Sequence, residues 1–417
     1  MDAIIDYRGK TPTKTTSGVP LVTAKIVKAG RIEEPTEFIA AEAFEAWMRR
    51  GLPEPGDIVM TTEAPLGEVA QLDGRKVALA QRLIGLRGKR GELDNTFLKY
   101  MMQSAFVQQQ LHARASGTTV LGIRQSELRE VRLVLPAFDE QRSIADILRS
   151  LDDKIELNRQ MNRTLEALAA TIFKSWFVDF DPVVAKADGR APFGMSADVA
   201  SLFPSSWEPS EDGPIPAGWR VGMLSEIAAV NEHSVARGYP HQSIEYVDIS
   251  SVSRGRLQAS TTMEFAAAPS RARRLVRDGD TIWSCVRPNL KAYLLICEPS
   301  PNTVVSTGFA VLGPKLQCPA FLHAAVTTDD FVEYLTAVAE GSAYPAVRAD
   351  LFGRAPIVVP ASQVITAFEQ VAWPLFKKTA QNDRESRALA ELRDTLLPKL
   401  LTGEIRVKQA ERALAEV

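Results

Sequence analysis

The sequence lacks the features that mark most membrane, secreted and metal-binding proteins. It contains only 3 cysteines and 4 histidines in 417 residues, and Cys285, Cys297 and Cys318 form no CxxC or other metal-ligand spacing. No apolar run approaches the roughly 18 residues of a membrane span, and no signal peptide is recognisable. Unpaired cysteines suit a reducing compartment, so we expect a cytoplasmic protein with no metal site.

Recognisable catalytic motifs are also missing. No glycine-rich phosphate loop follows a β-type run, and no GxSxG, HExxH or Cys/His cluster occurs. The Asn/Asp-Pro-Pro-aromatic run of amino-group methyltransferases is absent as well. The acidic pair Asp152–Asp153 lies on a predicted helix and is better explained as a solvated face than as a metal site. These absences predict a chain without catalytic residues.

Basic and acidic residues are nearly balanced over the whole chain, but basic residues are in excess in two regions. The chain has 49 Lys and Arg against 51 Asp and Glu, a formal net charge of −2. Residues 1–138 hold 19 bases and 16 acids, and residues 251–291 hold eight bases and three acids. Two local basic regions are compatible with nucleic-acid binding even though the total charge does not indicate it.

Two stretches without glycine have the apolar spacing of long helices. Apolar residues recur at intervals of three and four from Ile144 to Ile172. At 1.5 Å per residue, a helix over 138–178 is about 60 Å long, more than one domain can cover. We therefore expect it to pair with a second helix over 361–402. Pro374 predicts that this second helix is broken or begins near Leu375.

The two stretches align without a gap and share one seven-residue phase. The alignment places Leu165 on Leu389, a shift of 224 residues, and puts Asn158 and Asn382 at the same position of the apolar seam. A polar seam residue costs stability but fixes register, so both are predicted as register residues that lie close together. The alternative for each Asn is an unstable turn or a solvated face.

The rest of the chain repeats one α+β plan. Gly117–Arg124 is echoed by Gly341–Arg348, and a β-type run at Val131–Leu135 by one ending at Val359. Almost no residues precede Asp2 in the first repeat. We therefore expect either that the first domain lacks an edge element or that the start codon is assigned too far downstream. We predict an α+β protein with two pseudo-symmetric domains separated by two long coiled-coil-like helices. The segments are a first α+β domain over 1–137, a central helix over 138–178, a Pro/Gly-rich acidic linker over 179–215, a second α+β domain over 216–360, a distal helix over 361–402 and a tail over 403–417 with no clear counterpart.

Basic residues in predicted loops are interleaved with Ser, Thr, Asn and Gln, which suits a DNA surface. For any single Arg, plain surface charge is the better explanation, whereas two basic lobes on one duplicated scaffold favour DNA binding. Arg124 and Arg348 occupy matching positions and either approach DNA or brace their domains. The predicted DNA-binding residues are Arg8, Lys10, Thr11, Lys14, Lys25, Lys28, Arg31, Thr62 and Arg124 in the first domain, and Arg254, Arg256, Arg271, Arg273, Arg274, Arg287, Asn289, Lys291 and Arg348 in the second.

Several of these stretches resemble the specificity subunit of type I restriction–modification enzymes. The motifs that carry the resemblance are YRGKTPT at 7–13, MTTEAPLGEVA at 60–70, LAQRLIGLR at 79–87, SGTTVLGIRQSEL at 116–128, LPAFDEQRSIADIL at 135–148, IFKSWFVDFDPV at 172–183, PAGW at 216–219, VRPNLKAYLL at 286–295, VVSTGF at 304–309 and LLPKLLTGEI at 396–405. They extend over nearly the whole chain.

The resemblance implies that each α+β domain is a target-recognition domain that reads one half of a split, asymmetric DNA sequence. The resemblance also implies that the two coiled-coil-like helices pack antiparallel, set the spacer and dock two modification (methyltransferase) subunits, and that a restriction (endonuclease/translocase) subunit joins further out. S-adenosylmethionine, ATP and Mg are expected on those partner subunits and no cofactor on this chain.

Two other classes of function are weighed against this one. A fused nuclease or methyltransferase is disfavoured by the missing motifs. A non-catalytic coiled-coil scaffold without sequence-specific DNA binding leaves the two basic lobes unexplained.

Overall fold

The computed structural model describes residues 1–7, 11–210, 213–342 and 344–415. The chain divides into two compact units, one of residues Met1–Leu157 with Glu385–Val417 and the other of Asn158–Arg384. Each unit holds one α+β domain and about half of each long helix. Among the described residues, no helix combines the length and the apolarity needed to cross a membrane.

The first domain consists of short strands followed by helices. Its strands are β1 Ala3–Asp6, β2 Val19–Val22, β3 Val27–Lys28, β4 Arg31–Ile32, β5 Phe38–Ile39, β6 Ile58–Thr62, β7 Leu66–Gln71, β8 Ala78–Leu79 and β9 Leu83–Arg87. Its helices are α1 Phe44–Trp47, α2 Asn95–Gln103, α3 Ala105–Ala113 and α4 Gln125–Arg129.

Strand β6 lies between two apolar cores. The main sheet has the antiparallel order β1-β9-β6-β7, and a second sheet has the order β5-β2-β8 with β2 and β8 parallel. Side chains alternate along a strand, so Ile58 and Met60 join the core beneath α2, while Val59 joins the core of the second sheet. Because both faces of β6 are covered, all five of its residues are buried.

The central segment begins with the 40-residue helix α5 Phe138–Phe177, which has acids in its first turn and Lys174 in its last. Residues 179–215, predicted as a linker, contain α6 Asp181–Ala187, α7 Ala197–Ser201, β10 Trp207–Glu208 and the start of β11 Ile215–Pro216. Val183 and Phe203 are buried in the core of the second unit, where the rings of Phe203 and Trp176 lie 5.2 Å apart. The segment therefore covers that core despite its prolines and acidity.

The second domain repeats the element order of the first. Its strands are β12 Arg220–Met223, β13 Ala228–Val230, β14 Ser243–Val247, β15 Val252–Ser253, β16 Arg256–Leu257, β17 Thr261–Glu264, β18 Ala272–Leu275, β19 Thr281–Ser284, β20 Tyr293–Leu295, β21 Thr303–Ser306, β22 Phe309–Pro314 and β23 Pro356–Val359. Its helices are α8 Pro319–Ala325, α9 Asp329–Ala337 and α10 Ala349–Phe352.

The sheets of the two domains have matching topology. The order β13-β22-β19-β20 reproduces β1-β9-β6-β7, and β17-β14-β21 reproduces β5-β2-β8, including its parallel pair. The hairpin β15–β16 corresponds to β3–β4, and β18 extends the second sheet of the second domain. The α+β class and the internal duplication are thus confirmed.

One edge differs between the domains. In the second, β12 pairs with β23 from Arg220↔Val359 to Met223↔Pro356. The matching stretch of the first domain, Val131–Leu135, was predicted as a strand, and that prediction is wrong because no strand pairs with it among the described residues. Val134 and Leu135 consequently remain 52% and 48% exposed.

The distal helix α11 Ser362–Leu401 runs through Pro374 without a break, so the predicted interruption is wrong. Pro374 is exposed, so water can bind the carbonyl oxygen that its missing N–H leaves free, while Phe368 and Ala372 pack in the core on the other face. The tail, predicted to have no counterpart, contains α12 Val407–Ala415. This helix corresponds to α6, since each follows a long helix, and its buried Ala410 joins the core of the first unit.

In the first unit, α2, α5 and α11 meet at Asp152. Its carboxylate accepts hydrogen bonds from Lys99 Nζ (2.6 Å), Tyr100 Oη (2.8 Å) and Arg393 Nη1 (2.7 Å). Burial alone would raise the pKa of Asp152, but the two cations outweigh burial and lower it. The polar cluster ties the first domain to both helices.

At the matching positions of the second unit the same junction is mostly apolar. His323 takes the place of Lys99, Ala324 of Tyr100 and Phe376 of Asp152. The His323 and Phe376 rings lie 5.2 Å apart, and burial lowers the pKa of His323 to about 4, so the imidazole is neutral at pH 7. The backbone plan is shared, whereas the chemistry that joins domain to helix is not.

A helix terminus shows the same divergence. Asp94 caps α2 through its own side chain, which accepts from Phe97 N (2.9 Å). At the corresponding end of α8 stands Cys318, and Glu369 of α11 accepts instead from Ala320 N (3.2 Å) and Phe321 N (2.7 Å). Burial raises the pKa of Glu369 to about 7, although these two backbone hydrogen bonds oppose the shift.

We predict that Glu369→Gln removes part of the pH dependence of stability. The folded state holds a proton on Glu369 that the unfolded chain releases above its ordinary pKa of 4.5, so this contribution is full below pH 4.5 and is lost as pH rises to 7. Between pH 5 and pH 8, the free energy of unfolding of wild type should fall by about 1–3 kcal/mol more than that of Glu369→Gln. Thermal unfolding across this pH range measures the difference. The exposed Glu391→Gln on the same helix is the control, and parallel curves for wild type and Glu369→Gln would contradict the assignment.

Candidate nucleic-acid interface and helix seam

The predicted basic residues of the first domain lie beside acidic side chains. Lys14 Nζ is 2.8 Å from a carboxylate oxygen of Glu37, Lys28 Nζ is 3.1 Å from Glu33, and Arg31 Nη2 is 3.8 Å from Glu33. Exposed ion pairs of this kind contribute only about 0–1 kcal/mol. Phosphate groups could therefore replace the acids at little cost.

Two of the predicted loop residues are open to solvent and two fall outside the described part of the chain. Thr11 is exposed in the loop after β1, and Lys25 is exposed in the single 3-10 turn that precedes β3. Arg8 and Lys10 lie outside the described residues, so the structure gives no positions for them.

The β6–β7 turn, residues 62–66, contacts the loop 116–124. We call these segments the first loop pair. Glu63 forms a β-bridge with Gly122, and Ile123 N–H donates to Thr62 O (3.0 Å). Thr62 is 1% exposed, so its side chain lies beneath the surface, whereas Arg124 is exposed at the start of α4.

The second domain has a matching arrangement, the second loop pair, made of the β19–β20 turn at 285–292 and the loop 340–348. Val286 forms a β-bridge with Ala346, as Glu63 does with Gly122. Arg287 and Asn289 are exposed on the turn.

The other two predicted residues of the second loop pair are engaged in ion pairs. Lys291 Nζ lies 2.6 Å from Asp329 Oδ1, and Arg348 Nη2 lies 3.3 Å from Asp350 Oδ2. The fold thus gathers Arg287, Asn289, Lys291 and Arg348 in two adjoining loops.

A second group of arginines lines β18 and its approach. Arg271 Nη2 lies 2.7 Å from Asp248 Oδ2, and Arg274 Nη1 donates to Ser234 Oγ (3.1 Å). Burial alone would raise the pKa of Asp248, but accepted hydrogen bonds and the Arg271 charge outweigh burial and lower it. Arg273 lies over the ring of Phe265 at 5.8 Å. These guanidinium groups therefore already make contacts with other residues of the domain.

Arg254 and Arg256, two residues apart, have different surroundings. Arg254 is exposed in the β15–β16 turn. Arg256 reaches the long helices, with Nη2 2.8 Å from Glu166 Oε1 on α5 and Nη1 2.8 Å from Asp383 Oδ2 on α11. Its guanidinium therefore joins the second domain to both helices of the unit.

The two seam asparagines face each other within an antiparallel helix pair. Asn158 Nδ2 donates to Asn382 O (3.4 Å), and Asn382 Nδ2 donates to Asn162 Oδ1 (2.8 Å). Asn162 Nδ2 donates in turn to Thr379 O (3.2 Å) and Asp383 Oδ1 (2.7 Å). All three asparagines are at most 1% exposed. These hydrogen bonds between the two helices favour the register in which they form.

Comparisons with known proteins agree with this architecture. Residues 20–167 match the family model described as type I restriction modification DNA specificity domain. The type I restriction enzyme MjaIX specificity subunit of Methanocaldococcus jannaschii is 25% identical over 359 residues, 85% of this chain and 78% of its own. The HindI specificity subunit of Haemophilus influenzae is 26% identical over 339 residues, 70% of this chain and 73% of its own. The chain is thus similar to type I restriction enzyme specificity subunits over most of its length.

A solved structure has the same fold as this chain. The S subunit of a type I restriction-modification system from M. genitalium superimposes with a TM-score of 0.55 at 19% identity, covering 94% of this chain and 92% of that one. Both halves of the chain therefore have a counterpart of known structure.

Sequence reasoning missed Asn162, Asp383 and Tyr344. Asn162 lies one helical turn after Asn158 on the same face, and that spacing was a usable signal. Tyr344 is the counterpart of Val120 in the loop pairs, which aligning the two halves reveals. Asp383 is identified only by its contacts with Asn162 and Arg256.

We predict that Arg256→Ala destabilises the protein while Arg254→Ala does not. Removing the Arg256 guanidinium leaves two neighbouring carboxylates, Glu166 and Asp383, without their shared cation, which costs about 1–3 kcal/mol. Arg254 is the matched control because it is the same residue type in the same hairpin. Thermal unfolding of both variants measures the difference, and equal melting temperatures would show that Arg256 has no structural role.

Proposed function

We propose that this chain is the sequence-specific DNA-binding subunit of a type I restriction–modification complex. Each α+β domain is a target-recognition domain that reads one half of a bipartite, asymmetric DNA site. The observation that supports this proposal most strongly is the internal duplication, in which one sheet topology occurs twice with different side chains on its loops. Unlike reading surfaces on one plan predict unlike half-sites.

The DNA contacts belong to the exposed basic loops and not to the helix-facing arginine. Lys and Arg neutralise phosphates, while Arg and Asn in loops can form hydrogen bonds with base edges. Arg287, Asn289 and Arg348 on the second loop pair, and Arg124 on the first, have the exposure that such contacts require. Arg256 is engaged with Glu166 and Asp383, which favours a structural role.

The long helices act as the spacer in this proposal. Each has 40 residues and a length of about 60 Å. The buried amide network of Asn158, Asn162 and Asn382 fixes the helix register, and a fixed register sets the number of unread base pairs between half-sites. Reading two half-sites at once strengthens binding beyond either alone.

The chemistry in this proposal belongs to partner subunits. Two modification (methyltransferase) subunits dock on the helices, bind S-adenosylmethionine and methylate adenine, and a restriction (endonuclease/translocase) subunit acts with ATP and Mg. The chain itself has no catalytic role, consistent with relatives that are named specificity subunits. A scaffold without sequence-specific DNA binding is the alternative, and it gives no reason for two different basic surfaces.

The spacer role predicts the effect of lengthening both helices. Seven residues inserted after Leu157 and seven after Arg384, with heptad phase retained, add about 10 Å to the pair, the length of about three base pairs. We expect methylated adenines, mapped in cells that co-express the modification subunits, to lie in the wild-type half-sites separated by about three more base pairs.

The control is an insertion in one helix only, which misaligns the seam and should abolish methylation. Half-sites of altered sequence with the wild-type spacer would contradict the spacer role. A wild-type complex that methylates adenines without sequence preference would instead refute DNA reading by this chain and support the scaffold.

A further inference from the structure

The two loop pairs carry different residues at two matching positions. Ala64 and Arg287 occupy the same place in the turns, since each directly precedes a proline and each has a φ of +49°. Val120 and Tyr344 occupy the same place in the facing loops, three residues after Gly117 and Gly341. The first domain therefore has Ala and Val where the second has Arg and Tyr.

The turn that carries Arg287 is fixed by backbone contacts on both sides. Arg287 N–H donates to Pro345 O (2.7 Å), and Val347 N–H donates to Cys285 O (2.7 Å). Beneath it, Ser284 Oγ donates to Val286 O (2.9 Å). A left-handed backbone at a residue other than glycine is costly and persists only where its surroundings fix it. The turn thus holds Arg287 in one place before any ligand arrives.

The side chains of Arg287 and Tyr344 are stacked and open to solvent. The guanidinium lies 4.3 Å from the centre of the Tyr344 ring, and Tyr344 is 63% exposed. No hydrogen bond or ion pair of the Arg287 guanidinium occurs within the part of the chain that the structure describes, in contrast to Arg256 and Arg271. Five N–H donors are therefore available to a ligand, and the aromatic ring limits the rotation of the group.

We infer that Arg287 and Tyr344 form a base-reading pair of the second domain that selects a guanine in its half-site. A guanidinium with free donors bonds guanine O6 and N7 in the major groove through two parallel hydrogen bonds. Stacking on Tyr344 reduces the side-chain entropy lost on binding, which favours Arg over the flexible Lys. This inference rests on the proposed function and specifies the residues that perform it.

The matching positions of the first domain select no guanine. Ala64 and Val120 have no side-chain donors, and Val120 is 49% exposed, so they offer only apolar surface such as a thymine methyl group accepts. The two half-sites then differ at the base pair that each loop pair covers.

The test maps methylated adenines in cells that carry the modification subunits and variants of the full chain. We expect Arg287→Ala to lower the preference for guanine over other bases at one position of the second half-site by about 5- to 150-fold. Tyr344→Val should lower the same preference to a lesser degree. The first half-site and the spacer should remain unchanged. Arg287→Lys should resemble Arg287→Ala, because an ammonium does not form the paired bonds, and Tyr344→Phe should retain the preference because the ring remains.

Matched variants separate base reading from loss of charge or fold. Arg190→Ala removes one exposed arginine from the covering segment and should leave both half-sites intact. The double change Ala64→Arg with Val120→Tyr should add a guanine preference to the first half-site. Equal melting temperatures of wild type and Arg287→Ala would show that the fold is retained.

Three outcomes would overturn the inference. An unchanged recognition sequence in Arg287→Ala, or a change equal to that of Arg190→Ala, would remove Arg287 from base reading. Weaker methylation at all sites with the guanine preference intact would assign Arg287 to a phosphate contact. In each case a wild type that still recognises its bipartite site leaves the proposed function standing, whereas a wild type without sequence preference refutes that function itself.

Discussion

The buried amide network of the helix pair is the constraint on which the rest of the account depends. Asn158, Asn162 and Asn382 have almost no solvent contact, so a helix shifted along its partner leaves these amides facing apolar side chains. Each unsatisfied buried group costs about 1–3 kcal/mol, and that penalty selects one register. Apolar seam residues alone tolerate a slip of seven residues much better. The polar positions therefore trade stability for a defined spacing.

Around that fixed pair, the two halves share a backbone but not its side-chain chemistry. At matching positions, the first domain contacts the helices through Asp152 and the cations around it, and the second through His323 against Phe376. The cap of α8 comes from Glu369 on the distal helix rather than from a residue at its own start. Sheet topology is set by alternating burial, which many sequences satisfy, so the duplicated frame can persist while its contacts diverge.

Periodicity and internal alignment were sufficient to predict what depends on local spacing. The long helices, the duplication and the seam position of both asparagines follow from intervals of three, four and seven residues. Pro374 was misleading because the helix continues where one exposed carbonyl can bind water and the opposite face is packed. The run at Val131–Leu135 has strand propensity, but a strand also needs a partner, and propensity does not supply one.

Side-chain contacts between distant segments were beyond sequence reasoning. Arg256 looked like any loop arginine, and only the approach of α5 and α11 shows that its charge is used within the unit. Arg287 looked the same, yet its guanidinium stacks on an exposed ring. The two arginines differ in which distant residues they contact. Those partners lie 57 or more residues away along the chain, so no local sequence pattern predicts the contacts. The same limit applies to the loop pairs, each built from segments that lie far apart in sequence.

The central claim is that two independent recognition domains stand on one helical spacer. The most direct test replaces residues 216–360 with the corresponding domain of a relative, such as the HindI specificity subunit of Haemophilus influenzae. Methylated adenines are then mapped in cells that co-express the modification subunits. The account predicts that one half-site changes sequence while the other half-site and the spacer are retained. A change in both half-sites, or in neither, would contradict it.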